Sequence, residues 1–188
     1  MKITVGVSNK HLHLTEEDFK ILFGDDAVLT KERDISQPGQ FASDKKVSIE
    51  SEKARFDGLR ILGPLRSYTQ VELSQTDCRY LGITAPIRWS GDVAGSTKIK
   101  IIGPVGSIER EAVIIPNRHI HIDRKTREEL NLLGVDKVSL KVEGEKPALI
   151  RNVFLKEQEP SFFEVHLDTD DANANQIKNG DSVEIIIE

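Results

Sequence analysis

The chain has 188 residues, a formal net charge of −5 at pH 7 and a single cysteine. This length allows one large domain or two small ones. The acidic balance argues against a nucleic-acid-binding protein, which normally has a basic excess. One cysteine excludes an internal disulfide and fits a reducing compartment. No apolar run approaches the ~20 residues of a membrane-spanning helix, and Met1 leads almost directly into a predicted strand, so we expect a cytoplasmic protein without a membrane segment.

Short strands alternating with small helices are predicted along the whole chain. The predicted strands cover residues 2–7, 47–50, 56–62, 68–73, 98–102, 107–115, 135–142, 149–155, 162–167 and 183–187. The predicted helices are short and end at or near Gly24, Gly82, Gly134 and Gly180. Residues 83–98 are polar and contain glycine, which is typical of a connection between two halves. The pattern favours a mainly β fold of two β-barrels with short capping helices over a parallel α/β sheet.

One histidine motif occurs twice. The segment Asn-Lys-His-Leu-His at residues 9–13 returns as Asn-Arg-His-Ile-His at residues 117–121, each time after a β-branched run. Alternate residues of a strand project to the same face, so the two histidines of each motif share a face. Two imidazoles about 7 Å apart along a strand can bind one metal ion.

A second repeated pattern places a potential metal ligand two residues before a residue that can cap a helix. The four pairs are His13 with Thr15, Glu72 with Ser74, His121 with Asp123, and His166 with Asp168. The sequence therefore predicts an internal duplication, with residues 1–88 as the first β-barrel half and residues 89–188 as the second, and with strand exchange between the halves possible. Each half offers an H-x-H pair and one later ligand.

The predicted ligand sets are His11, His13 and Glu72 in the first half, and His119, His121 and His166 in the second. Three protein ligands leave an open position on zinc, which is the pattern of a catalytic site. Zinc can stabilise a thiolate leaving group or polarise an oxygen, and other divalent transition metals suit the same ligands. The residues alone predict metal-assisted chemistry and leave the reaction open.

Six longer motifs identify a family. In order, the chain contains VGVSNKHLHL, RDISQPGQF, RILGPLRSYTQVELSQTD, SGDVAGS, IIPNRHIHI and FFEVHLDTDDAN. From near residue 5 to near residue 173 it resembles the PduL-type phosphotransacylases (phosphate propanoyltransferases). The resemblance implies two β-barrels and transfer of a propanoyl or acetyl group between coenzyme A and inorganic phosphate.

The resemblance also implies two Zn²⁺ ions per chain, held by the two ligand sets above. Coenzyme A sulfur would occupy the open position of the first ion, and phosphate or water would complete the second. Arg66, in the segment GPLRS, matches the family arginine that contacts phosphate. We expect phosphate, oriented by Arg66 and the second metal, to attack the thioester carbonyl directly.

Coenzyme A also carries phosphates, and Lys10, Arg118 and Arg88 are candidate contacts for them. Family members in bacterial microcompartments have an N-terminal encapsulation extension; this chain begins close to its first motif, so we expect a free cytoplasmic enzyme. The sequence leaves homo-oligomerisation open. Two other functions remain as alternatives: a zinc-dependent thioester or phosphoester hydrolase, and a non-catalytic, cupin-like metal-binding barrel.

Overall fold

The structure is a computed structural model, and it describes residues 1–187. The strands in this range are β1 (Lys2–Ser8), β2 (His11–His13), β3 (Lys31–Asp34), β4 (Phe41–Glu50), β5 (Arg55–Gly63), β6 (Gln70–Glu72), β7 (Ile87–Arg88), β8 (Thr97–Ile102), β9 (Ser107–Pro116), β10 (His119–Ile122), β11 (Lys137–Val142), β12 (Ala148–Glu157), β13 (Glu164–Asp168) and β14 (Ser182–Ile186). The helices are α1 (Glu16–Phe23), α2 (Gln75–Leu81), α3 (Arg124–Glu129) and α4 (Thr169–Ala174). The mainly β fold class is confirmed.

One unit of the chain is a closed barrel of six strands in the order β1-β13-β10-β12-β11-β14. It comprises residues 1–8, residues 36–38 and the chain from Asn117 onward. We call it the C-terminal barrel. Its first strand comes from the start of the chain, since β1 pairs in parallel with β13 and antiparallel with β14.

The other unit comprises residues 9–35 and 39–116, and we call it the N-terminal barrel. Its strands close a ring in the order β4-β5-β2-β6-β9-β8, because β8 pairs with both β9 and β4. Strand β3 extends this sheet beside β4, and β7 pairs with β9. Two barrels with few short helices match the predicted architecture.

The two barrels have matching strand neighbours. Each H-x-H strand lies between a parallel strand and an antiparallel strand: β2 between β5 and β6, and β10 between β12 and β13. Strand β1 precedes the H-x-H strand of the N-terminal barrel but pairs with β13 in the C-terminal barrel. Strand β9 precedes the H-x-H strand of the C-terminal barrel but pairs with β6 in the N-terminal barrel. Strands β1 and β9 therefore each belong to the barrel that does not contain the H-x-H strand after them.

The division of the chain differs from the predicted boundary between residues 88 and 89. Residues 89–116 belong to the N-terminal barrel, which extends to Pro116. The reason is the pairing of β8 with β4 and of β9 with β6, which hydrogen-bonds the segment after residue 88 to the strands before it.

Each barrel has its own hydrophobic core, and the core fixes the direction of the histidines. Leu12 and Ile120, the middle residues of the two H-x-H motifs, are fully buried within these cores. Because neighbouring residues of a strand face opposite sides, the histidines on either side of them lie on the other face. A slip of one residue in register would bury the histidines in the core instead.

The four helices begin at the residues predicted to cap them. The side chains of Thr15, Ser74, Asp123 and Asp168 each accept a hydrogen bond from the backbone N–H three residues later. Each of these capping residues lies two residues after a predicted metal ligand, and the helix begins at the next residue. No helix within residues 1–187 is both long and apolar enough to cross a membrane.

We expect Gly103→Ala to destabilise the N-terminal barrel. A methyl group at Gly103 would meet the carbonyl oxygen of Leu22 and lie 2.7 Å from the Leu22 Cβ, at the end of α1. Overpacking of this kind costs about 1–3 kcal/mol, and backbone atoms cannot turn aside as a flexible side chain can. Denaturant unfolding measures the loss. The exposed neighbour Val105 provides the control: if Gly103→Ala were no less stable than Val105→Ala, the close approach would not matter.

Candidate metal centres

The first predicted ligand set comes together within the N-terminal barrel. Strands β2 and β6 are antiparallel, and their register places His11 opposite Glu72. The Nε2 atom of His11 lies 3.5 Å from Glu72 Oε2, and the Nε2 atom of His13 lies 3.8 Å from Glu72 Oε1. One donor atom from each of the three residues falls within 4.8 Å of the others. This is a spacing that one metal ion can bridge.

Hydrogen bonds hold these ligands in position. His11 Nδ1 lies 2.8 Å from the carbonyl of Asn9, and His13 Nδ1 lies 3.2 Å from the carbonyl of Leu62. When Nδ1 carries the proton, the lone pair of Nε2 points toward Glu72. Metal-binding histidines usually have one ring nitrogen hydrogen-bonded in this way, which leaves the other free to bind the metal. Glu72 Oε1 accepts hydrogen bonds from the amide of Gln70 (2.7 Å) and the hydroxyl of Ser90 (3.2 Å).

The second predicted set comes together within the C-terminal barrel by the same register. His119 lies opposite His166 on the antiparallel strands β10 and β13. The Nε2 atoms of His119 and His121 are 3.1 Å apart, and the ring of His166 lies 5.3 Å and 4.6 Å, centroid to centroid, from these two rings. Nδ1 of His119 lies 2.7 Å from the carbonyl of Asn117, as Nδ1 of His11 does from Asn9. Three imidazole donors again fall within 4.8 Å of one another.

Both sets fit a divalent transition metal. They consist of nitrogen and carboxylate donors, with three ligands each, so a fourth position stays open for a water or a substrate atom. Two imidazole nitrogens facing each other at 3.1 Å cannot both be protonated, and a cation between them would satisfy both lone pairs.

The electrostatics of the sites also suit metal binding. Burial, followed by the charges of His11 and Arg66, lowers the pKa of His13 to about 3. Burial, followed by the charges of His166 and His119, lowers the pKa of His121 to about 2. Burial also opposes the charge on His11, but the nearby carboxylate of Glu72 outweighs it and raises the pKa of His11. His13 and His121 are therefore neutral at physiological pH, which is the form that binds metal.

Arg66 lies beside the N-terminal centre, where its charge lowers the pKa of His13. Its Nη1 donates to the hydroxyl of Tyr68 at 2.8 Å, and its Nη2 donates to the amide oxygen of Gln40 at 3.1 Å. Both partners are neutral, so these hydrogen bonds orient the guanidinium without cancelling its charge.

The three cations predicted to contact coenzyme A each have an acidic partner. Lys10 Nζ lies 2.8 Å from Asp77, at the start of α2. Arg118 makes two bonds of 2.7 Å to Asp171, at the matching position of α4. Arg88 lies 2.9 Å from Asp92 and also donates to the carbonyl of Ala94. Lys10 and Arg118 thus link each histidine motif to the helix after the third ligand.

Sequence reasoning missed Glu164, a buried carboxylate in the C-terminal barrel. Glu164 Oε2 accepts hydrogen bonds from His166 Nε2 at 2.8 Å and from the hydroxyl of Ser36. Burial alone would raise the pKa of Glu164, but the hydrogen bonds from His166 and Ser36 hold it below its ordinary value. Its position two residues before His166 on the same strand was the available signal, since such residues share a face.

Comparison with known proteins finds relatives that match nearly the whole chain. The family described as phosphate propanoyltransferase matches residues 4–178. The chain is 42% identical over 186 residues to a phosphate propanoyltransferase of Thermotoga maritima, covering 98% of this chain and 89% of that protein. It is 40% identical over 185 residues to the protein of that name from Rhodopseudomonas palustris, covering 98% and 82% of the two chains. The same name belongs to a Clostridioides difficile protein that is 38% identical over 185 residues, covering 98% and 88%.

We expect the metal-free chain to lose stability as the pH falls below 6.5. The unfolded chain protonates histidine near pH 6.5, whereas His13 and His121 stay neutral in the folded chain until far lower pH. The unfolded state then binds more protons. Between pH 6.5 and 5.0, each of these two histidines lowers the free energy of unfolding by about 1.6 kcal/mol. His11, with its raised pKa, has the opposite sign and offsets part of this loss.

Denaturant midpoints measured in the presence of a chelator test this dependence. The stability should fall between pH 6.5 and 5.0, and a His13→Gln chain should show a shallower fall because one of the two histidines is gone. Equal slopes for the two chains would contradict the assignment to His13.

Proposed function

Because the chain belongs to the phosphate propanoyltransferase family, and is therefore an acyltransferase, we propose that it moves a propanoyl or acetyl group between coenzyme A and inorganic phosphate. In this reaction acyl-CoA and phosphate give an acyl phosphate and coenzyme A. The observation that carries the proposal is the pair of three-donor centres, since both lie within the residues that match the family.

Each centre binds one divalent metal, for which Zn²⁺ is the first choice. The ligands are His11, His13 and Glu72 in one barrel, and His119, His121 and His166 in the other. A bound metal with an open position stabilises a thiolate and polarises an oxygen, and acyl transfer from a thioester to phosphate uses both effects. The mixed His/Glu set and the all-histidine set leave different net charges at the two sites.

Arg66 binds the phosphate. A planar guanidinium can donate two parallel hydrogen bonds to a phosphate, and its charge does not depend on pH. Among the predicted anion contacts, Arg66 is held by neutral oxygens, whereas Lys10, Arg88 and Arg118 are paired with carboxylates. Neither Tyr68 nor Gln40 is acidic, so a phosphate binding at Arg66 would not have to displace a carboxylate from these hydrogen bonds.

Phosphate attacks the thioester carbonyl directly. The most reactive nucleophile of the chain for an acyl-enzyme route, the thiol of Cys78, is fully buried in α2. Holding the two reactants in line supplies much of the rate, because correct positioning lowers a barrier by ~7–11 kcal/mol. Gln40 and Tyr68, which orient the Arg66 side chain, contribute to that positioning.

Release of coenzyme A from propanoyl-CoA, with and without inorganic phosphate, tests the reaction. We expect release to require phosphate and to produce one acyl phosphate for each coenzyme A. Chelation should abolish it, and restoring Zn²⁺ should recover it. Equal release without phosphate would identify a hydrolase instead, and no turnover with any acyl-CoA would favour a binding barrel.

Arg66→Ala should raise the phosphate KM and lower kcat. A hydrogen bond to a charged group contributes about 1.5–3 kcal/mol, so kcat/KM for phosphate should fall roughly 10- to 150-fold. Steady-state kinetics at varied phosphate measure the effect, and elemental analysis should show unchanged metal content.

Arg55→Ala is the matched control, because Arg55 is an exposed arginine of the same barrel that pairs with Asp57. Its kinetic constants should match those of the native chain. Unchanged phosphate KM and kcat in Arg66→Ala would show that phosphate binds elsewhere.

A further inference from the structure

The two centres differ at one position outside both ligand sets. In each barrel, the H-x-H strand and its antiparallel neighbour place four side chains in a block on one face. The blocks are His11, His13, Glu72 and Gln70 in the N-terminal barrel, and His119, His121, His166 and Glu164 in the C-terminal barrel. The residue opposite the second histidine is an amide in one block and a carboxylate in the other.

Both residues hold the third ligand of their block. Gln70 Nε2 donates to the carboxylate of Glu72 at 2.7 Å, and Glu164 Oε2 accepts from the ring of His166 at 2.8 Å. A carboxylate ligand needs a donor behind it, whereas an imidazole ligand needs an acceptor. The N-terminal barrel therefore pairs a carboxylate ligand, Glu72, with a hydrogen-bond donor, Gln70. The C-terminal barrel pairs an imidazole ligand, His166, with a hydrogen-bond acceptor, Glu164.

In the C-terminal barrel, a glycine provides the space that the side chains of Glu164 and His166 occupy; the N-terminal barrel has an isoleucine at the matching position. Gly6 on β1 pairs with His166, and the matching partner of Glu72 on β9 is Ile114. A Cβ at Gly6 would lie 2.8 Å from His166 Cδ2 and 2.9 Å from Glu164 Cδ and Oε2. Gly6 does not adopt the left-handed backbone conformation, so a turn does not require glycine there. The absence of a side chain at Gly6 instead allows His166 and Glu164 to approach the backbone of β1 closely.

We propose that Glu164 is the positioning carboxylate of the C-terminal metal centre. By accepting the Nε2–H of His166 it fixes the tautomer of that ring, so that Nδ1 carries the lone pair for the metal. Glu164 also places a negative charge beside the all-histidine set. In the other barrel, Glu72 supplies that charge as one of the ligands. Carboxylate–histidine–metal arrangements of this kind raise the basicity of the ligand and the affinity for metal. The inference rests on the proposed metal centre.

Zn²⁺ titration against a competing chelator tests it. The native chain should bind two ions; in Glu164→Gln one affinity should fall about 10- to 100-fold and the other should stay unchanged. Gly6→Ala should weaken the same site, because its methyl group displaces the same two side chains. Glu143→Gln is the matched control: Glu143 is an exposed carboxylate of the same barrel that pairs with Lys141, so both affinities should remain native.

Nitrogen-15 NMR of the histidine rings in the metal-free chain gives a second readout. His166 should be the Nε2–H tautomer in the native chain and a mixture in Glu164→Gln. Two native affinities in a folded Glu164→Gln chain would overturn the role of Glu164 and leave the metal centre standing. Equal weakening by Glu143→Gln would overturn it too, because a general loss of negative charge from the barrel would then be the cause. A native chain that binds no second ion would overturn the centre itself.

Discussion

In each barrel, the register of one antiparallel strand pair sets the third candidate metal ligand opposite the first histidine of an H-x-H strand. His11 faces Glu72, and His119 faces His166. That register is maintained by burial, because the residue between the histidines packs into the core and a slip of one position would expose it. The chemistry of the centres therefore depends on the hydrophobic packing on the opposite face of the same strands.

The repeated scaffold is combined with different donors. Helix caps, neighbouring strands and the lysine or arginine before each first histidine all have counterparts in the two barrels. The ligand sets do not: one contains a carboxylate and the other is entirely imidazole. A carboxylate oxygen is a harder donor than an imidazole nitrogen, so the same strand framework presents two chemically different candidate sites.

Local features of the structure could be predicted from the sequence, and long-range ones could not. The alternation in His11-Leu12-His13 predicts a shared face, and the cap residues Ser74 and Asp168 predict where helices begin. Strand exchange leaves no local trace, since Lys2–Ser8 has the composition of a core strand whichever barrel receives it. The link from Arg118 to Asp171 joins residues 53 apart, so an arginine that looks available in sequence has a carboxylate partner once the chain folds. Glu164 was missed because an acidic residue in a strand is usually solvated. Its position two residues before His166 indicates a shared face, but its burial is evident only in the folded chain.

The exchanged first strand has a consequence for how the polypeptide acquires its structure during synthesis. The segment Lys2–Ser8 is synthesised well before its partners Glu164–Asp168 and Ser182–Ile186. The barrel formed by residues 9–35 and 39–116 can be complete before the strand partners of Lys2–Ser8 have been synthesised. Ordering of the three-histidine site is therefore a late event, governed by contacts between residues that are far apart in the chain.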